Sequence, residues 1–280
     1  MRMRYEEKFS LTEFLFAKPE EQTMLSGQGS TEHEGSPEHI KAWLEYRLGQ
    51  RGRDRDGTKE AFDFYEQIWQ TEYHKNCRGS VAGVRIGGDW MCSPWTTLKK
   101  GLQLKDGDVY AQLQKKLEAE TDRKARKLSW DEQKKLTAQF LKDHFEEFTT
   151  FDEPFVWEFM YNALTRANLI IVPTGMNGAR GGGNIEDYWD NTMDCVLPPV
   201  KPGGPLSKYA PDFQKLLDRF GIDGLCLGDW IKKDPMEPIP LPCKKPTSPE
   251  NWQKLVEAMT CRIKSRRKAM KNRLASLQDQ

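Results

Sequence analysis

The 280-residue sequence lacks any apolar run that approaches the roughly 20 residues needed to cross a bilayer as a helix. Only 37% of its residues are hydrophobic, while 30% are charged. The first residues do not form a secretory signal, and the acids Glu6 and Glu7 are unlike an intact mitochondrial presequence, which is rich in Arg and poor in acids. We therefore expect no transmembrane segment. A presequence already removed, an internal import signal and peripheral membrane contact stay open.

Cysteine is present, but not in the spacing of a metal site. The six cysteines form no CxxC pair and no Cys/His combination at ligand distance, which argues against zinc. A long chain without a secretory signal favours free thiols over disulfides. The sequence thus predicts a reducing intracellular compartment.

Common catalytic signatures are also lacking. Ser93 does not lie in a GxSxG motif, no kinase motif set occurs, and the four histidines are scattered. The sequence therefore predicts no catalytic residue, no cofactor and no bound metal.

One enzymatic alternative stays open in residues 173–195. The run Gly175–Asn184 follows a short apolar segment, which is where phosphate-binding loops often lie. No GKS or GKT follows it, however, and neighbouring acids repel phosphate. In a helix, some of these acids would share a face and could hold a hard cation. The acids are Glu186, Asp187, Asp190 and Asp194. The competing interpretations are a structural glycine loop and a solvated acidic patch.

Aromatic residues, by contrast, are plentiful at 11% of the chain. Disordered chains lack them, and in a polar chain they suit small helical units plus segments that dock on partners. We interpret residues 1–35 as an N-terminal docking arm. Its short helix carries Phe14 and Phe16 and ends before Pro19. Both phenylalanines are predicted partner contacts.

Residues 36–172 predict a small helical body. Start signals and helical spacing of apolar residues indicate the helices. They are expected at 36–48, 58–75, 108–127, 129–148 and from 154 onward. Two apolar runs around Gly87–Gly88 predict one short β-hairpin, and Leu169–Val172 predicts a short strand.

Residues 173–248 are predicted to be a long extended segment that wraps a partner. Residues 173–249 hold twelve of the 16 prolines and ten of the 22 glycines, and one helix is expected, over Pro211–Phe220, with Gly221 as its cap. Trp189 and Trp230 favour partner docking, because linkers rarely contain Trp. The fold class is therefore mainly α.

Residues 249–280 predict a long, basic, amphipathic C-terminal helix that starts at Ser248-Pro249-Glu250. Residues 244–280 contain ten basic and three acidic residues, a net charge of +7, whereas the whole chain is +1. The predicted apolar docking line, for the body or a partner, includes Trp252, Val256, Met259 and Ile263. Arg266 interrupts this line. The predicted basic face contains Arg262, Arg267, Lys268, Lys271 and Arg273.

This charge asymmetry predicts a docking element for an acidic partner. We expect a non-catalytic structural or accessory subunit of a large eukaryotic assembly, whose partners are other protein subunits. Its build is typical of respiratory or ribosomal organellar complexes, which favours the mitochondrion over the cytoplasm. The alternative is an RNA-binding component acting through the basic helix, against which stands the nearly neutral charge of the chain.

Overall fold

A computed structural model describes residues 57, 59–74, 78–124, 126–163, 165–182, 188–198 and 203–278. The predicted N-terminal arm and the predicted helix at 36–48 lie outside these residues. The α-helices of the described part are α1 (Lys59–Trp69), α2 (Pro94–Lys105), α3 (Gly107–Arg123), α4 (Trp130–Asp143), α5 (Pro154–Ala163), α6 (Met176–Gly182), α7 (Trp189–Val196), α8 (Ala210–Gly224) and α9 (Pro249–Gln278). The strands are β1 (Glu72–His74), β2 (Arg78–Val81), β3 (Val84–Trp90), β4 (Leu169–Pro173), β5 (Ile231–Lys232) and β6 (Glu237–Pro238). The predicted mainly α fold with a long C-terminal helix is confirmed.

The main sheet is antiparallel, with strand order β1-β2-β3-β4. Its central hairpin turns at Ala82 and Gly83, not at the predicted Gly87–Gly88. Ala82 and Gly83 both have positive φ angles, of 50° and 75°, as the two central residues of a type I′ turn require. Gly88 instead stays extended in β3 and lies opposite Ile171 of β4. The predicted position of the turn was therefore wrong, because a Gly-Gly pair occurs both in tight turns and in extended strands that pair with a buried strand.

The predicted strand at Leu169–Val172 is confirmed as β4. All five of its residues are buried, which fits a short, continuous apolar run enclosed on both faces. The small pair of β5 and β6 lies in the stretch before the C-terminal helix.

Local caps fix the helices in the middle of the chain. Ser129 and Glu132 form a complete capping box at the start of α4, as the sequence predicts. Helix α4 ends at Asp143 rather than near Phe148, and short 3-10 turns follow it. Helix α2 was not predicted. Asp106, between α2 and α3, accepts bonds from the backbone N–H groups of Thr149 and Thr150, both at 2.9 Å.

The described parts of residues 173–248 are more helical and more buried than the sequence indicates. The predicted helix is present as α8, with Gly221 at φ 66° and ψ 175° interrupting it near its end. Two further helices, α6 and α7, were not predicted. Large side chains of this segment join the same hydrophobic core as the helical body; they include Trp189, Leu206, Phe213, Leu217 and Trp230.

Candidate docking face on the C-terminal helix

Helix α9 begins where the sequence predicts. The Ser248 hydroxyl accepts a bond from the Asn251 N–H at 3.3 Å, and Pro249 occupies the first helical position, where no N–H is needed. A hydrogen bond with Ser248 lowers the pKa of the Glu250 carboxyl. At 30 residues the helix is about 45 Å long, and it contacts α1, α2 and α5.

The apolar face of α9 packs on its own chain. The Trp252 indole donates to Thr97 O at 3.1 Å, and its ring lies against Gly101 of α2 and Phe155 of α5. A Cβ atom at Gly101 would lie 2.2 Å from that ring, so the close approach requires glycine. Ile263 is only 1% exposed. The apolar line was predicted to dock either on the body or on a partner, and in the structure it packs on the body.

The other predicted docking residues are also internal where the structure describes them. The buried set comprises Trp189, Trp230, Trp252, Val256, Met259 and Ile263. Since their own chain covers these side chains, they offer no exposed surface to a partner in this conformation. Phe14 and Phe16 lie outside the described residues.

Arg266, which interrupts the apolar line, is 1% exposed and binds main-chain carbonyls. Its Nη1 donates to Ala167 O at 2.6 Å and to Leu169 O at 2.8 Å. Its Nε and Nη2 donate to Cys226 O and Leu225 O, at 3.1 and 3.2 Å. Burial lowers the pKa of Arg266 to about 10, so the group stays protonated at neutral pH. One side chain thus joins the start of β4, the end of α8 and α9.

The predicted basic face is divided by the structure. Arg273 donates from Nε to Ile68 O at 3.1 Å, next to the C-terminal end of α1. Helix ends carry carbonyls without intrahelical partners and a partial negative charge, which a guanidinium group complements. Arg267 donates from Nη2 to the Asn162 side-chain oxygen at 2.8 Å. These two arginines therefore hold their own chain together.

Arg262 has a similar inward role. Its two Nη atoms donate to Ile239 O and Pro240 O at 2.9 and 2.7 Å, and its guanidinium lies 4.8 Å from the centre of the Trp230 ring. Burial lowers its pKa. The expectation of a single exposed basic face is therefore wrong for the three arginines, because their long forked side chains reach carbonyls of the body.

What faces outward on α9 is a row of lysines. Lys264, Lys268 and Lys271 are exposed and follow one another at i, i+4 and i+7, which places them on one side of the helix over about 10 Å. Lys264 also pairs with Glu158 of α5. We call these three residues the lysine row. Only Lys268 and Lys271 of the predicted basic face belong to it.

The glycine-rich run considered for phosphate binding is folded into the body. Its described part forms the seven-residue helix α6, after Gly175 with a positive φ of 87°. Arg180 of α6 is buried and pairs with the carboxylate of Asp89 in β3. Its Nε donates to the Thr192 hydroxyl of α7 at 2.7 Å. The arrangement joins α6, α7 and the sheet, a structural role.

Of the acids considered for a cation site, Asp190 and Asp194 lie among the described residues. Asp190 is buried, and its Oδ2 accepts the Leu241 N–H at 2.8 Å and lies 3.1 Å from Lys244 Nζ. Asp194 is exposed and lies 3.1 Å from the same ammonium. Lys244 thus forms an ion pair with each of the two carboxylates. Within the described ranges no cluster of three or more His, Cys, Asp or Glu could hold a metal ion.

Sequence reasoning missed the inward roles of Arg180 and Arg266. For Arg266 one signal was present, since a charged residue in an otherwise apolar helix line is expected to find buried acceptors. The pair of Arg180 and Asp89 spans 91 residues and has no local signature.

Comparisons of the chain with protein families, characterised proteins and solved structures gave no match. Among the helices that the structure describes, none combines the length and apolar character needed to cross a membrane.

Proposed function

We propose that the chain is a non-catalytic accessory subunit of a multiprotein assembly, and that its lysine row contacts an acidic surface on another subunit. The division of basic residues on α9 carries this proposal. The arginines fix the helix to the body, so the three exposed lysines project from one side of a fixed helix. A row of like charges on a fixed helix suits a complementary surface, because the helix itself needs no ordering on binding.

Two observations favour a protein partner over lipid or RNA. Helices that lie on membranes insert their apolar face into the lipid, whereas the apolar face of α9 is inside the fold. Single-stranded RNA is recognised by stacking on exposed aromatics. The large apolar side chains that are well exposed among the described residues are Tyr73 and Met236, and neither lies on α9. An organellar complex of the mitochondrion is the class of assembly we propose.

The test reverses the charge of the lysine row. A tagged chain carrying Lys264→Glu, Lys268→Glu and Lys271→Glu is compared with the unaltered chain by gradient sedimentation of native cell extracts at two salt concentrations. The unaltered 32.4 kDa chain should sediment in a much larger particle, and the triple variant should leave it. All three changes are needed because one exposed ion pair contributes only about 0–1 kcal/mol.

A matched control reverses three exposed lysines on α3, α4 and their connection: Lys115→Glu, Lys127→Glu and Lys135→Glu. This variant should stay in the particle, and both variants should melt like the unaltered chain. Sedimentation of the unaltered chain as a monomer would contradict the proposal. Release by nuclease would favour the RNA alternative. Ile263→Asp is unsuitable here, because it buries a charge in the core and tests folding.

A further inference from the structure

The edge strand β1 directs one set of main-chain groups away from the sheet. The two-residue turn makes Val81 and Val84 a hydrogen-bonded pair, and such pairs alternate with non-bonded pairs along antiparallel strands. Gly79 in β2 therefore bonds to β3, and its neighbour Ser80 bonds to β1. Ser80 faces Glu72. The next residue, Tyr73, must then point its N–H and C=O to the outer edge.

The position of Glu72 O supports this alternation. A Cβ atom added to Gly79 would lie 2.6 Å from that oxygen, so the carbonyl of Glu72 points toward β2. No described strand pairs with β1 on its other side. All three residues of β1 are exposed.

We infer that two copies of the chain associate by antiparallel pairing of their β1 strands, centred on Tyr73. In this register Tyr73 faces Tyr73 of the second copy, and the two exchange both N–H···O bonds. On either side of this central pair, Glu72 of one copy then faces His74 of the other. An imidazole N–H donates to a carboxylate, so Glu-Tyr-His is complementary to itself when reversed. This association goes beyond the proposed function and does not depend on it.

The side chains fit the same register. Tyr73 is 36% exposed, and its ring centre lies 5.5 Å from that of Phe62 on the core side of the sheet. Pairing would place the two tyrosines side by side and cover their exposed edges. Glu72 and His74 lie on the opposite face, where the Ser80 hydroxyl is 2.9 Å from His74 Nε2 and 3.5 Å from a Glu72 oxygen. Because Ser80 belongs to β2, these contacts hold both side chains on one face of the sheet.

The other edge of the sheet does not offer this association. Every residue of β4 is buried, and Arg266 donates to Leu169 O. Pairing at β1 alone therefore closes after two copies, as a two-fold interface does. Because three residues a side make a contact well below the standard size of about 1,200–2,000 Å², the dimer is weak and depends on concentration.

The experiment is sedimentation velocity of the full chain from about 10 µM to about 1 mM, where weak complexes become populated. The unaltered chain should shift from monomer toward dimer. Tyr73→Pro should stay monomeric, because proline lacks the outward N–H, and should lose only the stability that the partly exposed ring gains against Phe62, because that N–H does not bond to β2. A monomer throughout the series, or a dimer unaffected by Tyr73→Pro, would overturn the inference.

A charge exchange tests the register. Glu72→His places His opposite His, and His74→Glu places Glu opposite Glu, so each single variant should weaken the dimer several-fold. The double variant restores a carboxylate opposite an imidazole and should regain the affinity of the unaltered chain. Failure of the double variant to recover, with both singles weakened, would overturn the proposed register.

Discussion

Helix α9 and the hairpin formed by α3 and α4 are both rich in charge, but they direct it differently. Arg262, Arg266 and Arg273 of α9 bond to main-chain carbonyls 22 to 205 residues away. In the hairpin, ion pairs join near neighbours, such as Arg123 with Glu120 and Arg126 with Glu132. The first kind of bond joins distant elements, whereas the second stabilises one turn.

This difference shows that charge content alone does not identify a docking surface. An arginine next to a helix end on the same chain finds a carbonyl that lacks a partner, and binding it stabilises the fold. A charge with only local partners stays in water, where an ion pair contributes little. On α9, arginines that bond to distant parts of the chain alternate with exposed lysines, so the inner and outer residues of one basic segment have different roles.

Arg266→Met should give the largest difference in stability between an inner and an outer residue of α9. We expect the free energy of unfolding to fall by about 3–5 kcal/mol, because buried carbonyls lose their charged donor. Lys264→Met on the outer side of the same helix is the control and should change it by less than about 0.5 kcal/mol. Urea denaturation of the two variants measures the difference. Equal effects would show that Arg266 contributes no more than a surface residue.

Packing gives a second, smaller contrast. Gly101→Ala should cost about 1–3 kcal/mol, since the new methyl group would overlap the Trp252 ring and displace α9. Gly107→Ala at the start of α3 has nothing within 4 Å of the added atom and should be nearly neutral. Thermal and urea unfolding of both variants tests this. A neutral Gly101→Ala would mean that α9 can shift away from α2 without loss.

The smallest expected effect on stability concerns the hairpin of α3 and α4 at acid pH. Hydrogen bonds from Arg126, then from Ser129, lower the pKa of Glu132 to about 2 from an ordinary value of 4.5. A carboxyl whose pKa is lower in the folded chain than in the unfolded chain stabilises the fold at any pH above the unfolded pKa. This contribution is lost as the pH falls from about 4.5 to about 2. Arg126→Ala should raise the Glu132 pKa, measured by NMR titration, with little change in melting temperature. If Glu132 of the unaltered chain titrates near pH 4.5, the hydrogen bond between Arg126 and Glu132 is contradicted.

The elements that the sequence predicts correctly are those with local causes. The capping box at Ser129, the helix start at Ser248-Pro249 and the apolar strand Leu169–Val172 each need only a few neighbouring residues. The turn at Ala82–Gly83 was missed because the more obvious glycine pair lies five residues later. The partners of Arg266 and Arg180 could not be predicted, since they are set by the packing of elements far apart in the chain.

The long-range bonds of α9 also set the time at which the fold is completed in the cell. Leu169 O and Ile68 O bond to arginines that lie 97 and 205 residues later. At a synthesis rate of roughly 5–20 residues per second, the ribosome needs about 5–20 s to make the first interval and about 10–40 s to make the second. Throughout the first of these intervals the apolar strand β4 has been made, but Arg266, which bonds to its first carbonyl, has not. The nascent chain therefore passes through a period in which a chaperone can bind this strand before α9 does.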